Sequence, residues 1–210
     1  MLTDKIKVDG WGIGREEALE VADRFTEYEN LDHKTALRIH LLVEEALGMV
    51  TAIAEDFDAL FWIESKSDDK AYIHLLAETD MDYKKKRALI DASKSKTNSA
   101  AIGVMGKIRE IVENSMYTMD EVGSLEAEYG GGSVMYSSMG MTDVSSIQTM
   151  DYTWSLNTYR DSVEDLKANN PAANMAWDEL EKSIVANLAD DVKVAVKGSS
   201  VELVIEKKLR

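Results

Sequence analysis

Ile39-His40-Leu41-Leu42-Val43-Glu44-Glu45-Ala46-Leu47-Gly48-Met49-Val50 decides how this chain of 210 residues is read. Ala36, Ile39, Val43, Ala46, Val50 and Ile53 recur at helical spacing and make one apolar stripe. Leu42, Met49 and Ala52 make a second, on nearly the opposite side. A helix that is apolar on two sides sits between layers, so a buried helix is predicted over about 34–56. Glu45 falls on the second side, four residues before Met49. A carboxylate there is costly without a partner or a wet cavity, which makes Glu45 the first candidate functional residue.

Working outward, Lys5 to Val8 alternate polar and apolar, as a short strand does, and Gly10, Gly12 and Gly14 break the pattern. Ala18, Leu19, Ala22 and Phe25 share one face of a helix predicted from Arg15 to about Glu29. Asn30-Leu31-Asp32 then reads as a helix stop followed by an N-cap. On the other side, Ala59–Glu64 and Ala71–Ala77 flank the turn Lys66-Ser67-Asp68-Asp69 and are predicted to pair as a hairpin. A basic, polar stretch follows, from Lys84-Lys85-Lys86-Arg87 to Lys94 and Lys96. A further helix is predicted from about Ala100, carrying Ile102, Met105, Ile108 and Ile111.

Residues 117–174 differ in character. Gly130-Gly131-Gly132 and a Met/Ser-rich run with Met135, Met139 and Met141 read as a loop. A helix is predicted from Asp151 to Lys167, with Pro171 ending that segment. A last helix, about Met175 to Leu188, leads into a second hairpin. In it Val192, Val194 and Val196 alternate before the turn Gly198-Ser199-Ser200, and Val201, Leu203 and Ile205 alternate after it. Hairpins with helices on one face make a two-layer α+β sandwich, expected here with a mixed, mostly antiparallel sheet.

Composition narrows the function classes. The net charge of −15 argues against general affinity for nucleic acid or an anionic membrane. Without cysteine there is neither a disulfide framework nor thiol catalysis. Residues 1–14 carry no apolar core of signal-peptide length, and no apolar run approaches the roughly 20 residues of a membrane span. The expectation is a cytoplasmic protein. His33, His40 and His74 are scattered, with no metal-ligand spacing among them.

The element order and the Leu41-Leu42-Val43-Glu44-Glu45-Ala46 stretch resemble the GHKL ATPase superfamily, closest to the anti-sigma serine-kinase branch. The resemblance covers residues 1–116 and 175–210 as a histidine-kinase-like ATPase domain, with 117–174 as a mostly helical insertion. It implies a regulatory protein that binds ATP, a protein partner of the sigma-factor or antagonist type, and a homodimer as one arrangement. Glu45 matches the family's general base. Asp80 or Asp82 matches the aspartate that reads the adenine amino group, although no glycine follows. Lys84 and Lys85 fall in the phosphate-holding segment, and Gly103 and Gly106 in the glycine turn that opens a helix toward the phosphates. The family's Mg²⁺-ligand asparagine falls at Met49, whose thioether cannot replace an amide oxygen on a hard cation. The resemblance therefore implies ATP without a secure Mg²⁺ ligand. Two activities remain open: an ATP-dependent protein serine kinase, and a non-catalytic interaction module acting through its insertion. The aromatic group Tyr152, Trp154 and Tyr159 with Arg160 reads either as a partner or ligand surface or as a small local core.

Overall fold

The computed structural model describes residues 1–53, 58–78, 152–168, 170–197 and 200–210. Along the chain these form β1 (Ile6–Asp9), α1 (Arg15–Tyr28), α2 (His33–Ile53), β2 (Asp58–Ser65), β3 (Lys70–Glu78) and β4 (Tyr152–Ser155). Then follow α3 (Leu156–Leu166), α4 (Pro171–Lys182), α5 (Ile184–Leu188), β5 (Asp191–Lys197) and β6 (Ser200–Lys208). The strands make a sheet in the order β1-β2-β3-β6-β5-β4. Every pairing among these strands is antiparallel, so the mixed sheet expected from the sequence is not what the described strands form. Both predicted hairpins are present.

Strand alternation sorts the side chains into two layers. One register row runs Ile6, Phe61, Leu75, Leu203, Val194 and Trp154 across the whole sheet. These residues join Phe25, Ile39, Leu42, Val43, Leu156 and Val185 from the helices in one buried cluster. The α+β sandwich is thus an antiparallel sheet with the described helices packed on one face. The other face carries the offset row Trp62, His74, Val204, Lys193 and Ser155. Trp62 stacks on His74 at 4.6 Å between ring centroids, and Lys5 Nζ lies 4.4 Å from the centroid of the Trp62 ring.

Local chemistry sets the helix ends. Gly14 starts α1 in the left-handed conformation (φ 77°), and a Cβ added there would sit 2.0 Å from the carbonyl oxygen of Lys7. Only glycine allows that approach. Asp9 Oδ1 accepts from the backbone N–H of Trp11 and of Ile13, both at 2.9 Å, which ties the turn down. Asp32 caps α2 as its sequence position predicts, accepting from Lys34 N at 2.9 Å and Thr35 N at 3.2 Å.

The C-terminal half departs from expectation in three places. Tyr152–Ser155 is an edge strand rather than the first turn of a helix, with Trp154 opposite Val194. The run Tyr-Thr-Trp has aromatic and β-branched strand formers, and Ser155 then caps α3 by accepting from Thr158 N. Pro171 opens α4 instead of ending the segment before it, since proline is well suited to the first helical position. The single helix expected over 175–188 is divided at Ser183, whose side chain accepts from Ala186 N and starts α5 afresh. The helix expected from Ala100 lies outside the described residues.

Candidate functional site

The long helix α2 carries the one described residue of the predicted site. Its buried arc is Ile39, Leu42, Val43, Ala46 and Leu47. Leu42 belongs to this single arc instead of starting an opposite face. On one side α2 meets α1, through Glu44 to Arg15 (3.7 Å) and His40 Nδ1 to Asp23 Oδ1 (2.8 Å). It also packs against α5. By the 3.6-residue repeat, Glu45 lies on the flank away from α1, two turns beyond Arg38.

Glu45 is half-buried. No hydrogen bond or ion pair reaches its carboxylate among the described residues, whereas neighbouring Glu44 has Arg15. A half-buried carboxylate with no donor among the described residues has oxygens open to a ligand's hydrogen bond. Met49 lies one turn further along α2. Asp80, Asp82, Lys84, Lys85, Gly103 and Gly106, the other predicted site residues, lie outside the described residues, as do Met135, Met139 and Met141.

Within the aromatic group, Trp154 belongs to the main core and Tyr159 packs against it. Trp154 is buried, Tyr159 lies beside it at 5.8 Å between centroids, and Arg160 donates to the carbonyl of Ala186 at 2.6 Å. The three histidines have separate settings. His33 is exposed in the first turn of α2, and His40 faces Asp23. On the outer sheet face His74 lies between two carboxylates, with Nδ1 3.1 Å from Glu202 and Nε2 3.3 Å from Glu64. Among the described residues no group of three or more His, Cys, Asp or Glu side chains is arranged to hold a metal ion.

Sequence reasoning missed two arrangements. The first is this outer-face cluster. Burial pushes the Glu64 carboxyl up, but the hydrogen bond and charge of Lys66, with His74, bring it below its usual range. Likewise burial raises Glu206, while hydrogen bonds from Lys193 and from Lys70 (3.1 Å) more than offset it and leave the carboxyl lowered. The alternation of β2, β3 and β6 contained the signal, because the outer row follows once the register is known. The second is a cleft of ≈ 520 Å³ between the α1–α2 turn and the end of β6. Its signal is the cluster Lys207, Lys208 and Arg210 in an otherwise acidic chain.

Among the described residues no helix is long and apolar enough to cross a membrane. Compared with known proteins, the chain matches no family model, no curated protein and no solved structure.

Proposed function

We propose that this chain is a regulatory protein built on the ATP-binding fold of histidine kinases and anti-sigma serine kinases. The observation that carries this reading is Glu45: half-buried, without an ion pair or side-chain hydrogen bond among the described residues, and on the flank of the long helix of a sandwich with the described helices on one sheet face. The order strand, helix, helix, hairpin at the start and helix, hairpin at the end supports it. In this reading Asp80 or Asp82 accepts from the adenine amino group. Lys84, Lys85 and the turn at Gly103 and Gly106 hold the phosphates. Glu45 takes the proton from a protein serine hydroxyl as that oxygen attacks the terminal phosphorus of ATP and the bond to the bridging oxygen breaks, releasing ADP. No residue among these replaces the missing amide ligand at Met49, so no step is assigned to a metal ion. The partner is a protein of the sigma-factor or antagonist type, and the acidic, cysteine-free composition suits the cytoplasm.

Calorimetric titration with ATP and ADP, with and without Mg²⁺, tests the proposal. The expected result is micromolar binding, about −8 kcal/mol, weakened at least tenfold by Asp80→Asn. Glu45→Gln is expected to keep binding and lose any phosphoryl transfer. If millimolar nucleotide gives neither heat nor thermal stabilisation, the ATP reading fails. The fold would then serve as a non-catalytic interaction module acting through residues 117–174.

A further inference from the structure

The cleft between the α1–α2 turn and the end of β6 is lined by four cationic side chains, Arg38, Lys207, Lys208 and Arg210. On a chain of net charge −15 such a concentration is unusual, and like charges held together raise the energy of the folded state. Two of the four have counter-ions: Lys207 lies 3.3 Å from Asp190 and Arg210 3.6 Å from Asp69. Half-buried Arg38 and exposed Lys208 have no side-chain ion pair among the described residues. The carboxylate in the lining is Asp32. It is turned into its own helix, with Oδ1 accepting from the N–H groups of Lys34 and Thr35 and Oδ2 from Thr35 Oγ1 at 2.6 Å. The hydrogen bonds from Thr35, with smaller contributions from the Lys34 N–H and the charge of Arg38, hold this carboxyl below its usual range, so it compensates Arg38 only in part.

The backbones that carry the cations are fixed. Arg38 comes from the second turn of a 21-residue helix, and Leu209 N donates to the carbonyl of Asp69 at 2.9 Å. At ≈ 520 Å³ the space is within the range of small-molecule sites, about 300–1,000 Å³.

We propose that this cleft binds a compact, multiply charged oxyanion of the phosphate type, with Arg38 and Lys208 as its principal partners. A planar guanidinium engages two oxygens of such a group at once, and an ammonium adds a point charge. The residues named here differ from those assigned to nucleotide, and the proposal does not rest on the ATP reading.

The test is titration of the whole chain with inorganic pyrophosphate at constant ionic strength, which removes general screening from the comparison. Saturable binding is expected, weakened tenfold or more in Arg38→Ala/Lys208→Ala and retained in Lys208→Arg and in Lys84→Ala/Lys85→Ala. Unchanged unfolding midpoints would show that the variants remain folded. Absence of saturable binding to the unaltered chain overturns the proposal. So does binding that survives Arg38→Ala/Lys208→Ala and disappears in Lys84→Ala/Lys85→Ala, which would assign the anion to the nucleotide segment instead.

Discussion

The two faces of the sheet are made by the same strands, one residue out of step, and they are held by different physics. On the inner face Phe61, Ile63, Ile73 and Ile205 are at most 1% exposed and lie in one cluster with the helices. On the outer face Trp62, His74, Glu64, Glu202, Glu206, Lys70 and Lys193 interlock through a ring stack, ion pairs and hydrogen bonds. The inner face gains from area removed from water, which needs no particular partner. The outer face gains only while donors and acceptors stay matched, and it loses that gain when one of them changes charge.

Four substitutions sharpen or break this contrast. Phe61→Ala opens a cavity at the centre of the inner face and should cost about 3–5 kcal/mol in urea unfolding. A smaller loss would mean that the helices collapse into the space. Gly14→Ala should come next, because a residue with a Cβ in the left-handed region costs about 1–2 kcal/mol and the contact with Lys7 O adds to that. This variant tests the joint between sheet and helices without touching either face. Glu206→Gln removes the acceptor charge shared by Lys70 and Lys193, at about 1–2 kcal/mol near neutral pH.

The Glu206 effect carries a pH signature that Phe61→Ala lacks. Its carboxyl is lowered in the folded chain, so its contribution is fully present above the ordinary glutamate value of about 4.3. It is lost as pH falls through the lower folded value. The stability gap between the unaltered chain and Glu206→Gln should therefore close below about pH 4, while the gap for Phe61→Ala stays open. A gap that stayed constant with pH would show that Glu206 acts by packing alone. The smallest effect is expected at Lys7, which pairs with Asp58 at 2.8 Å where both side chains are well exposed. Lys7→Ala should leave the unfolding midpoint unchanged, as exposed pairs of this kind usually do.

Part of the inner face was legible in the sequence. The alternation in 201–205 and part of the α2 stripe name buried residues before any contact is known: Leu203 and Ile205 on β6, and Ile39, Val43 and Ala46 on α2. Asp32 and its capping role were legible for the same local reason. The C-terminal half was harder because competing local signals overlap there. Tyr152-Thr153-Trp154 fits both the end of a helical pattern and a short strand, and pairing with β5 decides between them. Pro171 marks a boundary in either reading, and the fold makes it the first residue of α4, which packs against α3. The candidate site was legible only at Glu45, whose position on α2 follows from spacing while its lack of a partner does not.

By itself the sequence determined the antiparallel hairpins, the two long N-terminal helices, the capped turn between them and part of the core on α1, α2, β5 and β6. These are set by neighbours within a few positions, where 3.6- and 2-residue periods and backbone capping act. Only the tertiary structure decided the strand order that places β6 between β3 and β5, the outer row from Trp62 to Ser155, and the cleft that joins Arg38 to residues about 170 positions away. Those features depend on which distant segments meet, and burial free energy, being nearly indifferent to partner, writes little of that into any one stretch of the chain.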